Sequence, residues 1–238
     1  MDLFSETTME IPGEVPVMTL PNTVLFPQAI LPLYIFEPRY QQMLRDVLNT
    51  NRIFAIAGLN QNEDSEDSEA PPEDDYFEPP FEVAGVGIIR ASHENEDGTS
   101  NLILQGLSRV RFEKILTETP YRRARITPLH SSRENPGLDL ETERANCLRW
   151  IETKMKFYAQ EEAENFRFLH KIQDPDVFID LASFSILDEL SIKQQLLETT
   201  GVESRYKVFL QWLKEDVRKR ELDRKLKGRL SDDDILNN

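Results

Sequence analysis

Apolar and polar residues alternate in the first part of the chain as they do in β-strands, and prolines interrupt the apolar runs. An apolar run begins at Val15, and two more follow at residues 24–26 and 30–36. Prolines stand at positions 21, 27 and 32. Because proline cannot donate a hydrogen bond to a sheet, the pattern predicts strands that are short, irregular or at an edge.

A helix is predicted directly after these strands. Pro38 suits a first helical turn, where the missing N–H would have no partner within the helix. The apolar side chains that follow recur at helical spacing, and they are Tyr40, Met43, Leu44, Val47 and Leu48. Residues 49–51 are polar and end the helix, and residues 53–56 are typical of a buried strand.

A second β region is predicted from residue 81 to residue 129. Val83, Gly85, Gly87 and Ile89 fall on one face by alternation, and the two glycines indicate a bulge or a close backbone contact. The pair at residues 97–98, Asp-Gly, predicts a hairpin turn. We expect a strand at residues 101–104, a break at Gly106, and further strands up to Leu129.

The remainder of the chain has helical patterning. Asp174 followed by Pro175 predicts a capped helix start, and Ser191 with Gln194 fits a capping box. The expected fold class is therefore α+β. It has a mixed or antiparallel, barrel-like β domain with one helix over residues 11–130 and a C-terminal helical bundle over 138–228. Residues 1–10 and 229–238 are expected to be loose tails.

Charge changes this picture in one segment. The formal net charge is −15, and residues 61–80 carry nine acidic residues and no basic one. The low-complexity stretch 60–80 is interpreted as a solvated acidic loop, with a docking motif for a basic partner as the sharper alternative. The basic residues of the last helix likewise leave open a solvated helix end or a partner-docking helix.

Few residues offer catalytic or ligand chemistry. The three histidines, at 93, 130 and 170, are scattered, and the single cysteine, Cys147, has a helical context typical of a small core residue. Adjacent acids lie in polar segments where burial cannot tune their pKa. We therefore expect no catalytic residue, no metal and no cofactor. The acidic amino terminus is not a signal peptide, no run is long enough to span a membrane, and one cysteine fits a reducing cytoplasm.

Several motifs together resemble the N-terminal, substrate-binding domain of Lon proteases. They are Leu20-Pro21, Leu31-Pro32-Leu33 and Phe36 to Tyr40, then Gly85 to Arg90, Asp97-Gly98, Leu102 to Val110 and Pro120-Tyr121, and then Asp180 to Phe184 and Lys193 to Glu198. The order and spacing match across about 115 residues of the β region, and the resemblance as a whole covers roughly residues 11–216. The resemblance implies a PUA-like β domain followed by a helical bundle, in a bacterial, proteolysis-related protein.

The resemblance also implies a function. A stand-alone domain of this kind would be a non-catalytic module that binds unfolded or exposed apolar segments, because the sequence contains no GxxxxGK[ST] phosphate loop and no room for a serine–lysine protease domain. A separate protease or ATPase partner remains open. Strand addition to a proline-broken edge is the expected mode, with weak self-association through the same edge. The candidate peptide-binding residues are Phe26, Pro27, Tyr34, Phe36 and Tyr40, with core packing as the alternative for each.

Two other functions stay open at this stage. A PUA-like domain also suits RNA, and a basic strip is available in Arg109, Arg111, Arg122, Arg123 and Arg125. A solvated sheet face is the simpler interpretation of that strip, and the net charge of −15 repels phosphate, which argues against nucleic acid. The third reading is a hydrolase whose site would be revealed by a buried pair of carboxylates.

Overall fold

The computed structural model describes residues 10–59 and 79–236, with side chains up to residue 226. The chain divides into two compact units at residue 130, here called the β unit (up to His130) and the helical unit (from Ser131). The acidic stretch 60–78, residues 1–9 and 237–238 and the side chains from residue 227 onward lie outside the described residues, whereas residues 229–236, expected to be part of a loose tail, are helical.

The β unit is a mixed six-stranded sheet that closes on itself. The strands run in the order β2-β5-β4-β3-β1-β6, and β6 also pairs with β5, which closes a barrel of five strands and leaves β2 outside it. Only the β1–β3 pair is parallel among the described ladders. The strands are β1 (Glu14–Leu20), β2 (Ile30–Ile35), β3 (Ile53–Gly58), β4 (Val83–Glu94), β5 (Ser100–Thr117) and β6 (Arg123–Leu129).

The predicted helix of this unit is present as α1 (Pro38–Leu48). Its buried side chains are those at positions 40, 43, 44 and 47, and it packs on β1. The Tyr40 hydroxyl accepts a hydrogen bond from the Thr19 amide (3.1 Å) and donates one to the Thr19 carbonyl (3.3 Å). Small and β-branched residues of the strands, including Val17, Ala55 and Val86, fill the barrel interior.

The break expected at Gly106 in the second β region is absent. The strand β5 continues through Gly106 for 18 residues, and a register shift falls between Val86 and Gly87 of the opposing strand. Gly85 and Gly106 instead leave room for the backbone of the apolar run 24–26, which is not a strand. A Cβ at Gly85 would lie 2.0 Å from the Leu25 carbonyl oxygen, and one at Gly106 would lie 2.0 Å from that of Phe26.

The helical unit confirms the predicted bundle. Its helices are α2 (Leu140–Met155), α3 (Gln160–Glu164), a short 3-10 helix (Arg167–Lys171), α4 (Pro175–Ile186), α5 (Leu190–Glu198) and α6 (Val202–Leu236). Asp174 caps α4 as predicted, since its carboxylate accepts from the amides of residues 176 and 177. The capping box at Ser191 is wrong, because α5 begins at Leu190 and its N-cap is Glu189, two residues before Ser191.

The core of the helical unit forms around one face of α6. Tyr206, Phe209, Leu213 and Val217 are buried there, and α6 contacts α2, α4 and α5. Cys147 is fully buried, and burial raises the pKa of its thiol. None of the described helices is both long and apolar enough to cross a membrane.

Candidate peptide-binding face

The strand β2 lies outside the barrel and presents one face to solvent. It pairs antiparallel with the first part of β5, which pairs in turn with the last part of β4. Alternation divides its side chains: Leu31, Leu33 and Ile35 are half-buried or buried, and Ile30, Pro32 and Tyr34 point outward. Each outward residue is therefore followed by an inward one.

The outward side chains form an apolar row. Ile30, Tyr34 and Phe36 are 49%, 54% and 61% exposed, and they are the large apolar side chains that are exposed among the described residues of the β unit. The register places Pro32 opposite Ile103 of β5 and Ile103 opposite Ala91 of β4. We call this surface the β2 face, and its residues are Ile30, Pro32, Tyr34, Phe36, Ile103 and Ala91.

Two aromatic rings give the β2 face a flat end. The rings of Tyr34 and Phe36 stack with centroids 6.0 Å apart and an interplanar angle of 26°. The start of α1 contacts the backbone of Phe36, since the side-chain Nε2 of Gln41 donates to the Phe36 carbonyl (3.3 Å). Aromatic side chains contribute much apolar area with few rotatable bonds, which suits them to binding surfaces.

Polar side chains border the β2 face and satisfy one another. The Gln105 side chain accepts from Arg90 Nε (2.7 Å) and donates to Gln28 Oε1 (3.1 Å). Glu37 and Arg39 form an ion pair at 2.8 Å beside Phe36. The border thus carries charges of both signs, and no single sign of charge selects the ligand.

The structure separates the five predicted peptide-binding residues into three groups. Phe26 is fully buried and Tyr40 is 5% exposed, so both pack in the core, which is the alternative given above. Pro27 is half-buried. Tyr34 and Phe36 lie on the surface. A peptide-binding role for the surface residues stays a prediction.

Sequence reasoning missed Ile30 and Pro32. Both were assigned to an apolar strand, and neither was named as a binding residue. The signal was available, because residues two and four positions before Tyr34 share its face in a strand. The identity of the outward face could not be read from the sequence, since β2 is apolar on both faces.

The basic strip considered for RNA is not a continuous exposed surface. Arg109 is buried, with its guanidinium 6.0 Å from the Phe26 ring. Arg122 pairs with Glu118 at 2.8 Å, and Arg125 pairs with Glu14 at 3.0 Å. Phosphate would have to displace these acids, so the geometry weakens the case for RNA.

The helical unit contains a polar groove of about 640 Å³ between residues 134–143 and α6. Its buried carboxylate, Glu203, accepts from Arg133 Nε (2.5 Å) and from the Glu134 amide (2.9 Å). Burial alone would raise its pKa, but these hydrogen bonds hold the pKa of Glu203 at about 2. A carboxylate fixed in its ionised form is a poor general acid.

The described side chains, in residues 10–59 and 79–226, form no candidate metal site. That part of the chain brings no three His, Cys, Asp or Glu side chains together at one site. The buried Asp180 is engaged by Arg205, as is the more exposed Asp176. The two carboxylates neutralise the buried guanidinium of Arg205, and only one of them, Asp180, is buried. They are therefore not the buried carboxylate pair that would indicate a hydrolase.

Comparison with known proteins agrees with the resemblance noted from the sequence. The family model of the ATP-dependent protease La (LON) substrate-binding domain matches residues 14–215. The Lon protease of Dictyoglomus thermophilum is 24% identical over 226 residues, which are 95% of this chain and 27% of that protein. Lon protease 1 of Herpetosiphon aurantiacus is 31% identical over 121 residues, 51% of this chain and 14% of that protein.

Solved structures show the same fold. A Lon N-terminal domain protein from Xanthomonas campestris superposes with a TM-score of 0.58 at 16% identity, covering 84% of this chain and 98% of the other. The N-terminal domain of a Mycobacterium avium complex Lon protease gives 0.60 at 15% identity, with the same coverage. The chain spans about a quarter of the length of the Dictyoglomus Lon protease, 27% of that protein. From the family match over residues 14–215, the chain belongs to the Lon substrate-binding domain family.

Proposed function

We propose that this protein is a non-catalytic substrate-recognition module that binds unfolded or exposed apolar polypeptide segments on the β2 face. The observation that supports this proposal most is the row of exposed Ile30, Tyr34 and Phe36, in a β unit whose other described large apolar side chains are not exposed. Soluble proteins rarely expose several large apolar side chains side by side unless the surface binds something. Membership of the Lon substrate-binding family supports a polypeptide as the ligand.

The size of the face predicts weak and reversible binding. Full burial of one large apolar side chain contributes about 1.5–3 kcal/mol, and a half-exposed one contributes roughly half of that. Three such side chains give a few kcal/mol, from which the costs of association are subtracted. We therefore expect a dissociation constant of about 1 mM or weaker for a single segment. Weak binding suits a module that releases its client to a separate protease or ATPase in the cytoplasm, the partner this proposal calls for.

The first prediction tests the binding surface with a reduced, alkylated and permanently unfolded protein. The immobilised chain should retain it, and the double change Tyr34→Ser with Phe36→Ser should lower retention at least about fivefold by removing the aromatic surface. The matched control is Phe168→Ser, since Phe168 is a similarly exposed aromatic side chain in the helical unit. Circular dichroism checks that each variant is folded.

Two results would contradict this proposal. One is that no unfolded protein is retained by the unchanged chain. The other is that the double variant retains as much as the unchanged chain does. Retention of RNA that falls steeply with salt would favour the nucleic-acid alternative instead.

A further inference from the structure

The β2 face also carries information about the conformation and pattern of its ligand. We infer that it reads an extended segment whose apolar residues alternate with polar ones, and that it does so through side chains, without adding a strand to the edge of β2. This inference rests on the proposed function and specifies the substrate class for the same site. Spacing, the edge of β2 and the flatness of the face each support it.

The spacing of the row is that of an extended chain. Ile30, Pro32, Tyr34 and Phe36 are every second residue, so neighbours along the row lie about 6.8 Å apart and the whole row is about 20 Å long. An extended ligand lying along β2 repeats its own side chains at the same distance. If its apolar residues alternate, every one of them falls on the same side and reaches the row.

The edge of β2 is poorly suited to strand addition. The strand has six residues and stands at the end of the sheet order. Pro32 lies in its middle, and a proline inside a paired strand has its nitrogen on the side away from the ladder. The free edge therefore lacks a donor at its centre, and a central proline is one way in which proteins block edge pairing.

A helical ligand is also a poor fit. Helices bind in grooves whose walls contact both sides of the apolar stripe. The β2 face has the neighbouring residues Ile103 and Ala91 on one side only, because β2 is the outermost strand on the other. The stacked rings of Tyr34 and Phe36 continue the row as a flat surface.

We expect the β2 face to distinguish peptides of identical composition by the order of their apolar and polar residues. Scrambling an alternating segment so that its apolar residues form blocks turns about half of them away from the row. We expect this to weaken binding about tenfold, since several half-exposed side chains of the face would lose their partners.

The experiment uses two fluorescent peptides of about 12 residues and identical composition, a length that covers the row twice in extended form. One alternates Val or Phe with Ser or Lys, and the other carries the same residues in blocks. Two further peptides repeat the alternating sequence, one with its odd-numbered and one with its even-numbered backbone amides N-methylated. Successive amides of an extended strand point to opposite edges, so each peptide is blocked from pairing through one edge. Fluorescence anisotropy measures binding to the full chain, to Phe36→Ser and to the control Phe168→Ser.

The expected result is that the alternating peptide binds about tenfold more tightly than the blocked one, that N-methylation changes its affinity by less than about threefold, and that only Phe36→Ser weakens it. Equal binding of both patterns, lost in Phe36→Ser, would overturn the inference and leave the proposed function standing. Loss of binding on N-methylation would also overturn it, in favour of strand addition. If the unfolded protein is retained but neither peptide binds, the inference fails; if nothing binds, the proposed function fails with it.

Discussion

At the scale of single residues, glycine decides where the connection between β1 and β2 passes. The backbone of Leu25 and Phe26 lies directly against Gly85 and Gly106, and two hydrogen bonds join Gly106 to Gln28 and Ala29 at 2.9 Å each. The alternating pattern of the sequence indicated a close contact at Gly85, but the partner of Gly106 is 80 residues away in the chain. Contacts at that separation leave no local signal, which is why Gly106 was misinterpreted as a break.

The second prediction concerns this contact. The change Gly106→Ala should destabilise the β unit by about 1–3 kcal/mol, because its Cβ would lie 2.0 Å from a backbone oxygen that no rotamer change can move. Urea denaturation measures the loss. The control is Gly13→Ala, where a Cβ would meet nothing within 4 Å, and an equal loss in both variants would contradict the argument.

Lys154 of α2 is buried, which a hydropathy pattern does not predict for a lysine. An apolar stripe is the usual buried face of a helix, whereas α2 buries Lys154 together with Cys147 and Ile151. Lys154 donates to the Ile186 carbonyl and lies 3.1 Å from the Asp216 carboxylate, with its ammonium 4.4 Å from the centre of the Trp212 ring. A charge needs such partners before it can be buried, and they come from other helices.

The third prediction follows from that burial. The change Lys154→Ala should lower the free energy of unfolding by about 2–5 kcal/mol, because it opens a cavity and removes one of the two cations that pair with Asp216, the other being Arg220. Lys154→Met should cost less, since it keeps the volume. Thermal or urea denaturation measures both, with the exposed Lys207→Met as the control; equal stabilities of all three variants would refute the assigned role.

At the scale of elements, Glu203 ties the first turn of α6 to the segment before α2. Ser132 forms a bridge with Gly201, and Glu203 holds both Arg133 and the Glu134 amide. The pKa of Glu203 lies at about 2 in the folded chain, below its ordinary value of 4.5. A depressed carboxylate pKa stabilises the folded state above the unfolded pKa, and that stabilisation is lost as pH falls towards the folded value.

The fourth prediction follows from this direction of the pH dependence of stability. Between about pH 5 and about pH 3, the urea midpoint of the helical unit should fall more steeply for the unchanged chain than for Glu203→Gln, which has no proton to bind. The fluorescence of Trp150 and Trp212 reports on this unit. Glu215→Gln, an exposed carboxylate on the same helix, serves as the control and should keep the full slope. Parallel pH profiles for the unchanged chain and Glu203→Gln would rule out the tie.

At the scale of the whole molecule, the sequence predicts the fold class well and the site only in part. Local signals such as the Asp-Gly turn, the Pro38 helix start and the Asp174 cap act within a few residues, and the structure contains all three elements. The position of β2 outside the barrel depends on closure between β5 and β6, which no local pattern encodes. With β2 outside the barrel, Tyr34 and Phe36 face water, so the β2 face could be identified only from the fold.

The β2 face and the net charge of the chain have opposite effects on self-association. The fifth prediction follows from the balance between them. Exposed Tyr34 and Phe36 favour pairing between copies, whereas a formal charge of −15 on each copy repels them. Raising salt to about 1 M shortens the Debye length to about 3 Å and removes most of the repulsion, while the apolar attraction persists. Sedimentation velocity should therefore show weak self-association at high salt and none at low salt. Phe36→Ser should abolish it and Phe168→Ser should not; association that is independent of salt, or unchanged by Phe36→Ser, would place the contact elsewhere.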